Sequence, residues 1–593
     1  MSQLIVDEVK TNLTHLQPDT SAMYSAFLTL ALLAVQCPAG RSEAAAGQPL
    51  KDEDIARDIH EFVLHLMDCH LSPALTLAVV KDGRVLLANG YGHTSINKSR
   101  AVTSETKFAI GSLTKAFTAT LVAQWSFYPA FRVTDEIRSS QATLRDLLSH
   151  RMGLPSYFKA LQMGFPLGMT RDKLMKRLVY MPSHHSFREK FIYNNYMYTL
   201  AAHVVEKMSG NRKWEELVRD TFLRPLNMSN SGFLSNISDF SHFALPCAVI
   251  NSSIVDLSTE LFKTVSPCDP AGSIYSNAED MAKWMNFLLS NGRGADRRVV
   301  VDPEVILMTL EPGMISSLPF EELTRPKFPV SHVVQSYNMG WLTANYRGYR
   351  KVYHTGGVVT HFSRLWLYPD IKAGIYINVN GPREKNNKHS LLESLMYFVS
   401  DLLLNEEPWL KKDAVCQHIA SLQQATSSEG PHTLPTTDSS IFDLQINSTE
   451  LGNASVHNHS SSLQEFIGNY SHKCFGRIEI TKDSLNSKLV FRFGRFGWMN
   501  LTHLSGLDFW GLYFGPLSYL NSGPDAGELI RFLRSPTGDI SAVLYSMDAP
   551  NDFIQFDRTD MVGLDYDTNG GNGLLLPVFF LYFLVICCSL HRL

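Results

Sequence analysis

Metal-ligand spacing is missing from this sequence. Among 593 residues, with 8 cysteines and 21 histidines, there is no Cys-X-X-Cys pair and no His/Cys cluster, so no structural zinc is expected. A basic excess is missing as well: 53 Lys and Arg stand against 57 Asp and Glu, a net charge of -4, which leaves nucleic-acid binding without electrostatic support. No internal repeat is present, so a solenoid or propeller is not expected. Long apolar runs occur only near the two ends, which excludes a multi-span transporter or receptor.

The ends point outside the cytosol. "MYSAFLTLALLAVQCPAG" (Met23 to Gly40) has the length of a signal-peptide core, so residues 1–45 read as leader and signal, with Met23 an alternative start. "LLLPVFFLYFLVICCSL" (Leu574 to Leu590) is 17 apolar residues following a flexible stretch; 561–593 reads as a stalk and membrane anchor, either a GPI signal or a single span. Asn97, Asn227, Asn236, Asn251, Asn447, Asn453, Asn458, Asn469 and Asn500 each head an Asn-X-Ser/Thr sequon, candidates for glycosylation on a secreted or surface-anchored chain. Five cysteines lie between the end segments: Cys69, Cys247, Cys268, Cys416 and Cys474. Cys247 and Cys268 could close a 20-residue loop as a disulfide, and the odd count leaves at least one thiol unpaired or pairing between chains.

Between the ends the pattern changes twice. Residues 53–405 alternate helical and strand periodicities. "ALTLAVV", Asp82-Gly83 and "RVLLANGYG" predict a β-hairpin, whereas "RKVYH", "SRLWLYPD" and "KAGIYINVN" predict closing strands. Helices fall mostly between these groups, so an antiparallel sheet completed by both ends of the domain is expected. Residues 406–461 are rich in Ser, Thr and Asn and poor in periodicity: a linker. Residues 462–560 read as short strands with frequent turns, a small β-barrel or sandwich.

Chemistry enters at "FAIGSLTKAFTATLVAQ" (Phe108 to Gln124), an apolar helix that carries Lys115 three places after Ser112. At that spacing the two side chains share a helix face. Desolvation lowers a buried lysine's pKa, so the amine becomes able to take a serine proton, and the helix N-terminus favours negative charge developing there. Further along, Tyr193-Asn194-Asn195 precedes a helix and His354-Thr355-Gly356-Gly357 ends a strand. Tyr193 could exchange a proton with Ser112 if a nearby cation favours its phenolate. Asn195 could hold Lys115 and a substrate amide, and the glycines would let a backbone N–H approach a substrate carbonyl.

This ordered set resembles the serine β-lactamase and penicillin-binding-protein superfamily, in its class C β-lactamase, D-alanyl-D-alanine peptidase and esterase branch. "DLLSHRMGLP" (Asp146 to Pro155), "PAGSIYSNAEDMAKWM" (Pro270 to Met285) and "YNMGW" (Tyr337 to Trp341) support it in the family's order. The resemblance implies an α/β (α+β) domain with an antiparallel sheet flanked by helices, followed by a small all-β, lipocalin-like domain. It implies Ser112 as the acylated nucleophile, Lys115 as its partner and Tyr193 as general base. Asn195, His354, Thr355, Gly356 and Gly357 would contact substrate, with the N–H groups of Ser112 and Gly357 as oxyanion hole. His354 replaces the lysine usual in β-lactamases, which fits peptidase-like and esterase-like members better. After "LVAQWS" the chain lacks a strand-and-turn segment that relatives usually carry. The expected activity is hydrolysis of a small-molecule or peptide amide or ester without a cofactor; the alternative is an inactive binding protein on the same scaffold.

Overall fold

Eight strands of one antiparallel sheet organise the larger part of the molecule. The computed structural model describes residues 50–125, 132–250, 253–316, 330–382, 391–412, 415–416, 463–484, 487–521, 527–548 and 552–559. The chain divides into two units, Met1–Lys51 and Asp52–Leu593, and of the first only Leu50 and Lys51 are described. The segments read as signal and as C-terminal anchor, most of the expected linker and the residues just after Trp125 lie outside the described residues.

The sheet opens with the hairpin β1 (Ala74–Lys81) and β2 (Arg84–Gly92), turning at Asp82-Gly83 as the sequence predicts. Short strands follow: β3 (Phe108–Ala109), β4 (Gly232–Phe233) and β7 (Ile274–Ser276) form a three-stranded sheet, and β5 (Cys247–Ile250) pairs with β6 (Ser253–Asp256). The large sheet resumes with β8 (Met314–Ile315), β9 (His332–Tyr337), β10 (Leu342–Tyr346), β11 (Tyr349–Val358), β12 (His361–Tyr368) and β13 (Ala373–Val379). Its order is β2-β1-β13-β12-β11-β10-β9-β8, so β1 is hydrogen-bonded to the last strand of the region as well as to its hairpin partner. Chain-distant ends therefore meet inside the sheet, as its second and third strands, the arrangement that the hairpin and closing strands imply.

Helices cover both faces, because the central strands are buried on both sides. Strand β13 is buried at all seven positions, which requires apolar cover above and below. On one face α1 (Asp52–Cys69) packs beside a late helix, Leu391–Leu403. The α1 residues Ile55, Ile59, Phe62, Val63 and Leu66 recur at helical spacing, and Phe62 stacks on Phe398 with ring centroids 3.8 Å apart. The other face carries α2 (Thr114–Ala123), α3 (Leu144–Leu148), α4 (Phe158–Gln162), α5 (Asn195–Met208) and α6 (Ala278–Leu289); the late helix is α7. Phe117 of α2 stacks on Trp284 of α6 at 3.7 Å.

A disulfide joins Cys69, at the end of α1, to Cys416. This corrects the expected Cys247–Cys268 pair. Cys247 begins β5, where its thiol lies 3.6 Å from the Asn380 carbonyl, whereas Cys268 is buried ahead of the Ala271 turn against α2 and α5. Nearness in sequence brought these two no contact in space, and both are free thiols, as is Cys474.

The remaining strands close a barrel: β14 (Gly468–His472), β15 (Gly476–Lys482), β16 (Leu489–Phe493), β17 (Gly497–Ser505), β18 (Asp508–Tyr513), β19 (Glu528–Arg534), β20 (Ile540–Ser546) and β21 (Phe553–Thr559). Closure leaves no edge strand, since β14 pairs with both β15 and β21. Alternation along the strands buries Ile478, Phe491, Met499, Phe532, Tyr545 and Phe556. No helix among the described residues is long and apolar enough to cross a membrane.

Candidate active site

Ser112 sits in a tight helical turn, Gly111–Leu113, that runs directly into α2. The sheet fixes this turn through its backbone. The Ala109 N–H donates to His361 Nδ1 at 3.0 Å, the Asn378 amide to the Ala109 carbonyl at 2.9 Å, and the Ser363 hydroxyl to the Ile110 carbonyl at 2.8 Å. Gly111 has φ +53°, and a Cβ there would lie 2.5 Å from the Gly357 nitrogen. Only glycine admits so close an approach, and that approach brings the end of β11 beside the serine. Gly357 is exposed at this point, Thr355 is half-buried, and Gly356 is packed on the Ile110 carbonyl.

Lys115 is completely buried on the next turn. Its Nζ lies 2.7 Å from Asn195 Oδ1, 2.7 Å from the Ala271 carbonyl and 2.9 Å from Ser112 Oγ. Burial drives its pKa well below the usual lysine value. Asn195 Oδ1 and the Ala271 carbonyl only accept, so they take two N–H groups; the third position faces Ser112 Oγ, as an N–H in the ammonium and as the lone pair in the neutral amine that burial favours. Tyr193 completes the triangle by donating its hydroxyl to Ser112 Oγ at 2.8 Å. Four sequence-predicted residues, Ser112, Lys115, Tyr193 and Asn195, thus converge although 83 positions separate the first from the last.

Burial pushes the Tyr193 pKa up, and the Ser112 bond lowers it by less. The phenolate form therefore needs a cation beside it, and Lys115 Nζ lies 4.8 Å from its ring centroid. One expectation changes here. His354, expected to contact substrate, turns inward. It is 2% exposed; its Nδ1 lies 2.6 Å from the Thr355 carbonyl and its Nε2 accepts from Tyr337 at 3.0 Å. Burial holds its pKa down at about 3, so the imidazole is neutral, and both ring nitrogens are engaged by protein.

Sequence reasoning missed His150. It lies within "DLLSHRMGLP", a segment that supports the family resemblance as a whole and does not single out the histidine. Its ring is completely buried, with centroids 4.4 Å from Tyr193, 4.7 Å from Tyr337 and 5.1 Å from Tyr198. The Ile192 N–H donates to its carbonyl at 2.9 Å, and the Asn194 N–H to its Nδ1 at 3.1 Å. Both backbone neighbours of Tyr193 are therefore tied to one histidine. Accepting at Nδ1 places the hydrogen on Nε2, which has no hydrogen-bond partner, and the residue has φ +56°. A left-handed backbone and an unpaired buried donor in a non-glycine residue are the kind of strain that functional sites retain. A histidine immediately after an apolar helix, where a glycine or asparagine would make the stop, was the available signal.

A family model described as Beta-lactamase matches residues 59–393. The chain is 27% identical over 388 residues to the Unguisins hydrolase ungD' of Aspergillus campestris (strain IBT 28561), covering 61% of this chain and 67% of that protein. It is 26% identical over 363 residues to the Unguisins hydrolase ungD of Aspergillus violaceofuscus (strain CBS 115571), covering 56% and 62%. Among solved structures, the octameric penicillin-binding protein homologue from Pyrococcus abyssi superposes with TM-score 0.48 at 17% identity, covering 85% of this chain and 99% of that one.

Proposed function

The chain belongs to the beta-lactamase family of serine hydrolases, and on that premise we propose that it cleaves amide, peptide or ester bonds through an acyl-enzyme on Ser112. The observation that carries the reading is the triangle of Ser112 Oγ, the Lys115 amine and the Tyr193 phenol, with separations of 2.9 and 2.8 Å from the serine.

In acylation, Ser112 Oγ attacks the substrate carbonyl carbon as its proton passes to Lys115 Nζ. The N–H groups of Ser112 and Gly357 donate hydrogen bonds to the developing oxyanion. Collapse breaks the bond to the leaving group, which takes a proton from the Tyr193 hydroxyl, and the tyrosinate so formed takes the proton held by the Lys115 ammonium, whose Nζ lies 4.8 Å from the tyrosine ring centroid. Attack by water on the ester repeats the sequence and returns the carboxylic acid. Asn195 keeps the amine in place throughout. A neutral, inward-facing His354 supplies no cation for a substrate carboxylate, which favours substrates that are uncharged beside the scissile bond. The reading further places the protein outside the cytosol, at the cell surface or secreted: the Cys69–Cys416 disulfide suits an oxidising compartment, and the sequon residues Asn97, Asn227 and Asn236 are exposed. Asn469 and Asn500 are half-buried within barrel strands, and the other four sequon residues lie outside the described residues.

The test is active-site labelling of the full chain with a fluorophosphonate probe, together with turnover of neutral ester and amide substrates. Labelling at Ser112, and loss of label and turnover in Ser112→Ala, are the expected results. Ligand binding that survives with no turnover in the parent chain would replace this reading with that of an inactive binding scaffold.

A further inference from the structure

The helix α4 depends on the barrel at both ends. It has only five residues, and Tyr157, which precedes it at φ +45°, offers no side-chain cap. The first backbone N–H groups of so short a helix need acceptors from elsewhere. Asp548, just beyond β20, supplies one: its Oδ2 accepts the Ser156 N–H at 2.8 Å, and the N–H groups of Tyr157 and Phe158 also favour its charge. The Met547 carbonyl accepts the Lys159 N–H at 3.3 Å. At the other end the carbonyls of Met163 and Gly164 accept N–H groups of Phe496 and Arg495, from the turn between β16 and β17, at 2.8 and 3.1 Å. Lys159 Nζ pairs with Glu528 of β19 at 2.5 Å.

The same segment reaches the catalytic triangle. Immediately before α4, the carbonyls of Leu154 and Pro155 accept the Asn194 side-chain amide at 3.2 and 2.6 Å. Asn194 Oδ1 accepts the Tyr196 N–H at 2.8 Å and so caps α5, and the residue stands between Tyr193 and Asn195. An unbroken run of hydrogen bonds and two short pieces of backbone therefore links the barrel carboxylate to the residues that face Ser112. We propose that Asp548 is a positioning residue for the hydrolytic site, and that the barrel acts on the reaction by holding α4 and, through Asn194, the seat of Tyr193 and Asn195. The effect on reaction rate rests on Ser112 being the nucleophile; the mechanical coupling does not.

The experiment uses the full chain and two readouts: the rate of Ser112 labelling by a fluorophosphonate, and hydrogen exchange at the Asn194 and Tyr196 amides. Asp548→Ala is expected to slow labelling and to speed exchange, each by about tenfold, since small displacements of a catalytic group carry large rate penalties. Asp548→Asn keeps one acceptor oxygen toward the Ser156 N–H and is expected to recover most of both. A purely stabilising role would lower the melting temperature and leave the labelling rate of the folded protein unchanged. Parent-like labelling, or parent-like exchange, in folded Asp548→Ala overturns the proposal. If that variant does not fold, Gly494→Ala decides: its Cβ would lie 2.2 Å from the Gly164 carbonyl and wedge the barrel turn off α4 with no carboxylate altered. Unchanged Asn194 and Tyr196 exchange there overturns the proposal, and faster exchange supports it. A parent chain that takes no label at Ser112 removes the nucleophile reading, while exchange still decides the coupling.

Discussion

The two sides of the candidate site are held in different ways. Around Ser112 the restraints come from two sheets: backbone groups of residues 109 and 110 are bonded to side chains of β12 and β13 and to β7 at Tyr275 and Ile274, and Gly111 lies against Gly357. Around Tyr193 the large sheet supplies ring contacts, from Tyr337 of β9 and His354 of β11 at 6.2 and 6.3 Å, and among the described residues no hydrogen bond to the Tyr193 backbone neighbours. Those neighbours hang on His150 and on Asn194, which in turn grips the segment leading to α4. The nucleophile is thus built into the most buried part of the fold, while its proton-exchanging partner rests on a loop and a few side chains. The contrast predicts that damage on the serine side removes chemistry outright, whereas damage on the tyrosine side grades it.

The largest effect is expected at Lys115. Lys115→Met keeps the volume and removes the amine lone pair, and the Ser112 labelling rate should fall by about 10³ to 10⁴, the upper range for loss of a general base. In the parent chain the same rate should fall as pH drops through the depressed lysine pKa, because protonation consumes the lone pair. That pH dependence should be absent in Lys115→Met. Next in size is Gly111→Ala. The new Cβ must push Gly357 away, separating the two N–H groups of the oxyanion hole, and labelling should slow by about 10² to 10³.

On the tyrosine side the expected loss is smaller and can be recovered. His150→Phe keeps an aromatic ring in the cluster but removes the acceptor for the Asn194 N–H, and should slow labelling about tenfold. His150→Asn restores an acceptor and tolerates the left-handed backbone, so it should return most of the rate. Equal rates for the two variants in the labelling assay would show that ring packing alone sets the Tyr193 position, and the contrast between the two sides would need another basis.

How much of this was legible in the sequence follows the same division. The hairpin at Asp82-Gly83, the closing strands and the Ser112–Lys115 spacing are local signals, and each reappears where local periodicity puts it. Asn195 beside Lys115 came from the order of motifs rather than from any one of them. The misreadings are of groups whose role is set by burial and by chain-distant neighbours. Sequence puts His354 at a strand end, whereas β11 continues through it to Val358 and Tyr337 draws its ring inward. It shows two cysteines close in number, Cys247 and Cys268, but not that α1 brings Cys69 to Cys416 across 347 positions. It shows a barrel-like run of strands but not that one of its carboxylates caps a helix of the other region.

The mildest test of the contrast is acid. Asp146 lies at the first turn of α3, completely buried, and binds the Thr143 N–H at 2.8 Å, Arg188 through both oxygens at 2.8 Å, and Arg151. Burial alone would raise its pKa, but the bonds from Arg188, then Thr143 and Arg151, outweigh it and hold the carboxyl at about 2. A folded pKa below the unfolded one adds stability above the unfolded value, near 4, and that stability is lost as pH falls toward 2; the amount is about 2 kcal/mol. Asp146 joins the His150–Arg151 turn to Arg188, just ahead of the Tyr193 loop, and touches nothing in the Ser112 turn. Below pH 4, hydrogen exchange corrected for its intrinsic pH dependence should therefore quicken first at residues 186–194, while amides 109–113 stay protected. Asp146→Asn should show the quickened pattern already at neutral pH, with little further change on acidification. Simultaneous loosening of both segments in the parent chain would mean that the two sides unfold as one unit, and that the sheet secures the tyrosine loop as firmly as the serine.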